Sequence, residues 1–107
     1  TSIVQVLSSP NPPDCFFAIS DNLAAAAIKA VQYCNLKVPS DVLVIGFDNT
    51  NISQLSTPSI TTIKQPCSQL GYLASELLIE KINNPDTEIK QVQLPTELII
   101  RESTSQE

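Results

Sequence analysis

The sequence predicts an α/β fold: a parallel sheet of βαβ type with helices flanking it. Three observations carry this. Two short apolar runs, CFFAI at 15–19 and DVLVIGF at 41–47, have the composition of strands buried on both faces. Between them the apolar residues recur at helix spacing, and the connections on either side are short. Strand, helix and strand joined in that way need a crossover that leaves the two strands parallel. At 107 residues and 42% hydrophobic content the chain holds at most one domain with a modest core.

Taken in order, IVQVLSS at 3–9 reads as the tail of an element, and Pro10-Asn11-Pro12-Pro13-Asp14 is a rigid break. Cys15 to Ile19 is the first strand. Ser20-Asp21-Asn22 supplies residue types that cap helices, and Ala24, Ala27, Ile28 and Val31 follow at i, i+3, i+4 and i+7. The alanines at 24–27 leave room for another backbone to approach. Asn35 suits a left-handed residue at the helix end, and Pro39 blocks continuation. After the second strand, SITTIKQ at 59–65 is a third candidate, with Ile60 and Ile63 as its apolar positions. Pro66 suits the first position of a helix in which Leu70, Leu73, Ala74, Leu77, Leu78 and Ile82 repeat until Asn83-Asn84-Pro85 ends it. Ile89 to Leu94, and ELIIRES beyond Pro95, read as extended.

Parallel strands of one crossover end on the same edge, so the loops at 20–22 and 48–50 face the same side, where open α/β folds bind ligands. Asp48, Asn49 and Asn51 could reach a ligand there. Asx residues at a strand exit more often bond their own backbone to shape a turn.

Composition narrows the function. Six basic against eleven acidic residues give a net charge of −5, and no Lys or Arg run exists to follow a phosphate backbone. This segment does not itself grip nucleic acid. Its apolar stretches are far too short for a bilayer, so no membrane partner is expected. Cys15, Cys34 and Cys67 are an odd set at wide spacing, and the chain has no histidine. That excludes a Cys/His zinc set and the Ser–His and Cys–His nucleophile pairs, and three free thiols fit a reducing cytoplasm. Catalytic residues, metals and cofactors are expected to be none; enzymes built on carboxylates or lysine stay open.

The blocks PPDCFFAISDNLAAAAIKAVQYCNLKVPSDVLVIGFDNT, TPSITTIKQP and LPTELIIRES, in that order and spacing from about Pro13 to Thr104, resemble the carboxy-terminal part of the LacI/GalR family of transcription regulators. The resemblance implies a partial fold of the type I periplasmic-binding-protein kind. It also implies that residues 1–107 are one fragment of an effector-binding and dimerisation domain. Within it, 13–58 would be the βαβ unit of the carboxy lobe, 59–83 a crossover strand and helix belonging to the amino lobe, and 88–104 a final extended segment. The parent would be a cytoplasmic homodimer that meets operator DNA only through a helix-turn-helix absent from this chain.

By the same resemblance, Asp21 matches the acidic residue that hydrogen-bonds the effector in sugar- and purine-responsive members. A carboxylate accepts two donors at once, which suits a polyol or a purine edge. Without the resemblance, Asp21 reads as a helix cap. Cys67 and Leu70 align with positions where some members place apolar effector contacts; ordinary burial on an amphipathic helix is the competing reading. Pro66 and Cys67 stand where some relatives carry an acidic and an aromatic residue. Leu55 lies near the family's dimer contact.

Three function classes follow. The first is the sensing and dimerising part of a regulator that responds to a sugar or purine-like molecule through a population shift between lobe arrangements. The second is a fragment of a soluble sugar-uptake binding protein of the same architecture. The third, an unrelated α/β enzyme or receiver-like domain, lacks a nucleophile–base pair and a glycine-rich phosphate loop, the glycines being only Gly46 and Gly71. For the first class Asp21→Ala is expected to abolish the effector response and leave the fold intact. The apolar face of the 66–82 helix, with its implied partner lobe missing, is expected either to fold back on the sheet or to drive association.

Overall fold

A computed structural model describes residues 2–105. These fall into two compact units: residues up to Lys64 together with those from Glu97 onward, and Gln65–Thr96.

In the first unit, helix α1 (Ile3–Leu7) opens with a capping box in which Ser2 and Gln5 satisfy each other's backbone N–H groups. Strand β1 (Cys15–Phe17) leads into helix α2 (Asp21–Tyr33), then β2 (Leu43–Phe47), α3 (Asn51–Leu55) and β3 (Thr61–Lys64). Among the described residues the sheet has the order β1-β2-β3-β4, with β4 (Glu97–Ile99) last. The first three strands are parallel, with Phe16 opposite Val44 and Gly46 opposite Thr62; β4 runs antiparallel to β3, with Ile63 opposite Leu98.

The periodicity at 24–31 does what it predicts. Ala24, Ala27, Ile28 and Val31 are all buried, and Ala24, Ala27 and Ile28 cluster with Val44 and Ile60. Val31 joins Leu7 and Val42 in a second cluster that brings α1 into the core. Burying Ile28 or Val31 contributes about 1.5–3 kcal/mol each. Alanine at 24 and 27 lets α2 lie close on β2, whose inward residues are Val44 and Gly46. Asn35 closes the helix with φ 58°.

One expectation changes. Strand β1 is not buried on both faces: it lies at the sheet edge, and Phe17 is 62% exposed. Within the segment 59–83, Thr61–Lys64 is in register with β2, and the boundary between units follows Lys64. Of 88–104, the strand portion is Glu97–Ile99, while Ile89 to Leu94 is irregular.

The second unit is helix α4 (Cys67–Asn83) and the chain that follows it. Lys81 Nζ donates to the Thr87 carbonyl at 2.6 Å, and Lys90 pairs with Glu80 at 2.9 Å. Both partners of that pair are half exposed, so it contributes at most about 1 kcal/mol. No described residue of α4 is buried; Leu73 and Leu77 are half-buried, and Leu70, Tyr72, Leu78, Ile79 and Ile82 are exposed.

Candidate functional site

The loops after β1 and β2 meet, as parallel topology requires, and Asp21 joins them. Ser20 is the N-cap of α2, its Oγ accepting from the Leu23 N–H at 3.2 Å, so Asp21 occupies the first helical turn. There the helix dipole favours its negative charge. Asp21 Oδ2 accepts from the Thr50 N–H at 2.6 Å and from Thr50 Oγ1 at 2.9 Å, and Oδ1 accepts from Thr62 Oγ1 at 2.6 Å. The residue is 1% exposed. Three internal donors occupy a carboxylate that offers roughly four acceptor positions, and protein covers it.

Gly46, Thr50 and Thr62 complete this clasp, and sequence reasoning missed all three. A Cβ at Gly46 would run into Asp21 Oδ1 and stand 3.2 Å from both the Asp21 Cα and the Ile60 Cγ2. A glycine inside an otherwise apolar strand was the available signal, since it marks a close approach. Thr62 is on the inward face of β3, which its spacing from Ile60 suggests once the strand is placed.

The turn after Phe47 is held by its neighbours in the fold. Asp48 and Asn49 hold φ of 100° and 54°, the left-handed side that Asx residues tolerate. The Asp48 N–H donates to the Ile63 carbonyl at 2.9 Å and the Asn49 N–H to Thr62 Oγ1 at 3.2 Å, fastening the turn to β3. Arg101, also missed, reaches the same turn from just after β4 in the chain, its Nη2 donating to Asn49 Oδ1 at 2.7 Å. The rim of the edge is formed by Ser20, Asn22 and the 48–50 turn, with Phe17, Ile19 and Leu23 as exposed apolar neighbours in sequence.

The other expected residues lie apart from the clasp. Leu55, the last residue of α3, is 81% exposed and lines an open groove of about 470 Å³ with Ala25, Ala26, Ile28 and Lys29 of α2. Cys67 and Leu70 sit in the first turns of α4 in the second unit, both exposed. Burial pushes the Cys15 thiol up, away from the thiolate a nucleophile needs. Among the described residues no group of His, Cys, Asp or Glu could hold a metal, and no helix is long and apolar enough to cross a membrane.

An α/β lobe whose sheet edge is braced by a buried carboxylate, with polar groups along its rim, is the architecture of a binding domain. The chain belongs to the periplasmic binding protein-like domain family, whose model matches residues 2–104, in the form carried by LacI-type repressors. It is 36% identical over 103 residues to a ribose operon repressor of Halalkalibacterium halodurans, covering 95% of this chain and 31% of that protein. It is 39% identical over 93 residues to the HTH-type transcriptional repressor PurR of Aliivibrio fischeri, covering 87% of this chain and 28% of that one. Among solved structures, a LacI family transcriptional regulator from Enterococcus faecium with bound ribose superposes with a TM-score of 0.80 at 30% identity, covering 96% of this chain and 38% of that chain. The chain thus spans about a third of the length of the curated relatives it matches.

Proposed function

We propose that this chain is the effector-binding and dimerising part of a LacI-type transcription regulator, cytoplasmic and homodimeric, that senses a sugar or purine-like molecule. Operator DNA is bound by a helix-turn-helix outside this chain, and the effector shifts the population of lobe arrangements that set its spacing. The observation that carries the reading is the clasped sheet edge, in a chain matched almost end to end by repressors. Relatives named for ribose and a neighbour holding ribose support the sugar class.

In this reading Asp21 serves the effector by holding Thr50 and Thr62, so that Ser20, Asn22 and the 48–50 turn present a fixed rim of donors and acceptors. Leu55 and its groove supply the face for the second protomer, and Cys67 and Leu70 offer apolar contacts from the second unit. A sugar-uptake binding protein of the same fold is the competing reading, favoured only by the family's periplasmic kinship. The discriminating experiment titrates the full-length parent onto labelled duplex from the DNA flanking its own gene, with and without D-ribose or hypoxanthine. A change in DNA affinity of roughly 5–150-fold with one of them supports the regulator; sequence-specific DNA binding that is absent altogether refutes it.

A further inference from the structure

We propose that Arg101 is a positioning residue that ties the turn at the sheet edge to α3, so that the edge and the Leu55 groove shift together; what the two ends do rests on the function proposed above. The guanidinium bridges three elements. Nη2 donates to Asn49 Oδ1 at 2.7 Å, and Nη1 donates to Ser53 Oγ at 2.9 Å and to the Ile60 carbonyl at 3.0 Å. Its own backbone is fixed: the Arg101 N–H donates to Thr61 Oγ1 at 2.8 Å, and that hydroxyl lies 3.2 Å from the Arg101 carbonyl.

Ser53 is fully buried in the middle of α3 and is the point through which the bridge acts. Its Oγ donates to the Thr50 carbonyl at 2.6 Å while accepting from Arg101, and its own carbonyl accepts from the Ile60 N–H at 2.7 Å. Thr50 is the residue whose N–H and hydroxyl both reach Asp21. A continuous chain of hydrogen bonds therefore runs from Asp21 through Thr50 and Ser53 to Arg101 and back to Asn49 at the rim. Helix α3 has five residues and no side-chain bond at its N-cap, so helix formation alone does not hold it. Its placement depends on Ser53, and Leu55 moves with it. Lysine cannot replace the bridge, because a single ammonium lacks the planar fork that reaches Asn49 and Ser53 at once.

The test has two arms. In urea unfolding of the chain, Asn49→Ala and Ser53→Ala are made singly and together, with Arg101 and with Arg101→Met, which keeps the stem. The pair is expected to be non-additive by about threefold or more in the unfolding constant with Arg101 and additive without it. Additivity in both backgrounds overturns the bridge, since an arginine that merely supported the fold would create no coupling between its two partners. In the full-length parent, with D-ribose or hypoxanthine at saturation for each protein, Arg101→Lys is expected to reduce the ligand's effect on DNA binding about tenfold. An unchanged effect overturns the coupling role. A wild-type parent that responds to neither probe counts against the functional reading, and the unfolding cycle then decides the bridge by itself.

Discussion

Asp21 turns its carboxylate into the fold, and that changes what its removal does. Asp21→Ala strands the buried Thr62 hydroxyl, at roughly 1–3 kcal/mol for a donor left without a partner, and takes the charged acceptor from the N–H and hydroxyl of the exposed Thr50. The unfolding free energy of the variant is expected to drop by about 2–5 kcal/mol in urea titration, against the expectation from sequence that the fold would stay intact. A drop below about 0.5 kcal/mol would show that the clasp contributes nothing. Gly46→Ala presses a methyl against Asp21 and is expected to cost about 1–3 kcal/mol by the same measurement, with the loss reduced when Asp21 is already alanine. Glu102 gives a pH signature. Hydrogen bonds from the Ser59 side chain and backbone hold its carboxyl below the ordinary 4.5. A lowered folded value means the stabilisation is present above 4.5 and lost as pH falls through the folded value. A carbon-detected titration of Glu102 should show a midpoint below 4.5, and Ser59→Ala should raise it; identical midpoints would contradict the assignment.

At the scale of elements, the sequence was most legible where one period dominated. Helix α2 followed from apolar spacing and its cap cluster, and β2 from a β-branched run. Ser20→Ala should lower stability by about 1 kcal/mol through the lost cap, checked by thermal unfolding. Helix α3 went unread because five residues carry no periodicity, and a polar Asn51-Ile52-Ser53 start resembles a turn. The site was half legible. Parallel topology placed Asp21 and the 48–50 turn on one edge, but single-residue patterns could not say that Thr50 and Thr62 point at the carboxylate, because those contacts span 29 and 41 positions. Burial on both faces was misjudged for β1 because an apolar run does not reveal whether its strand is central or at an edge. Helix α4 keeps Leu78, Ile79 and Ile82 exposed, and apolar stripes of that kind drive association. Sedimentation of the chain at rising concentration should show self-association that Leu78→Glu with Ile82→Glu reduces; a monomer at every concentration would refute it.

At the scale of the whole molecule, the chain comprises one braced lobe and a helical unit, and it spans about a third of the length of its curated relatives. The sheet edge belongs to the first unit, and Cys67 and Leu70 to the second. On the function proposed above, a ligand shifts the population of lobe arrangements only by its differential affinity for them, and the bonds of Asp21 to Thr50 and Thr62 would keep the rim from adapting to each arrangement. The most direct measurement is a thermal-shift titration of the full-length parent against pentoses, hexoses and nucleobases, repeated with Thr62→Val. One ligand is expected to raise stability progressively, reaching about 2.7 kcal/mol at a hundred times its Kd, with the threonine variant requiring at least about tenfold more ligand. A parent stabilised by none of these, or a Thr62→Val variant that folds and binds as tightly as the unsubstituted protein, would contradict the account.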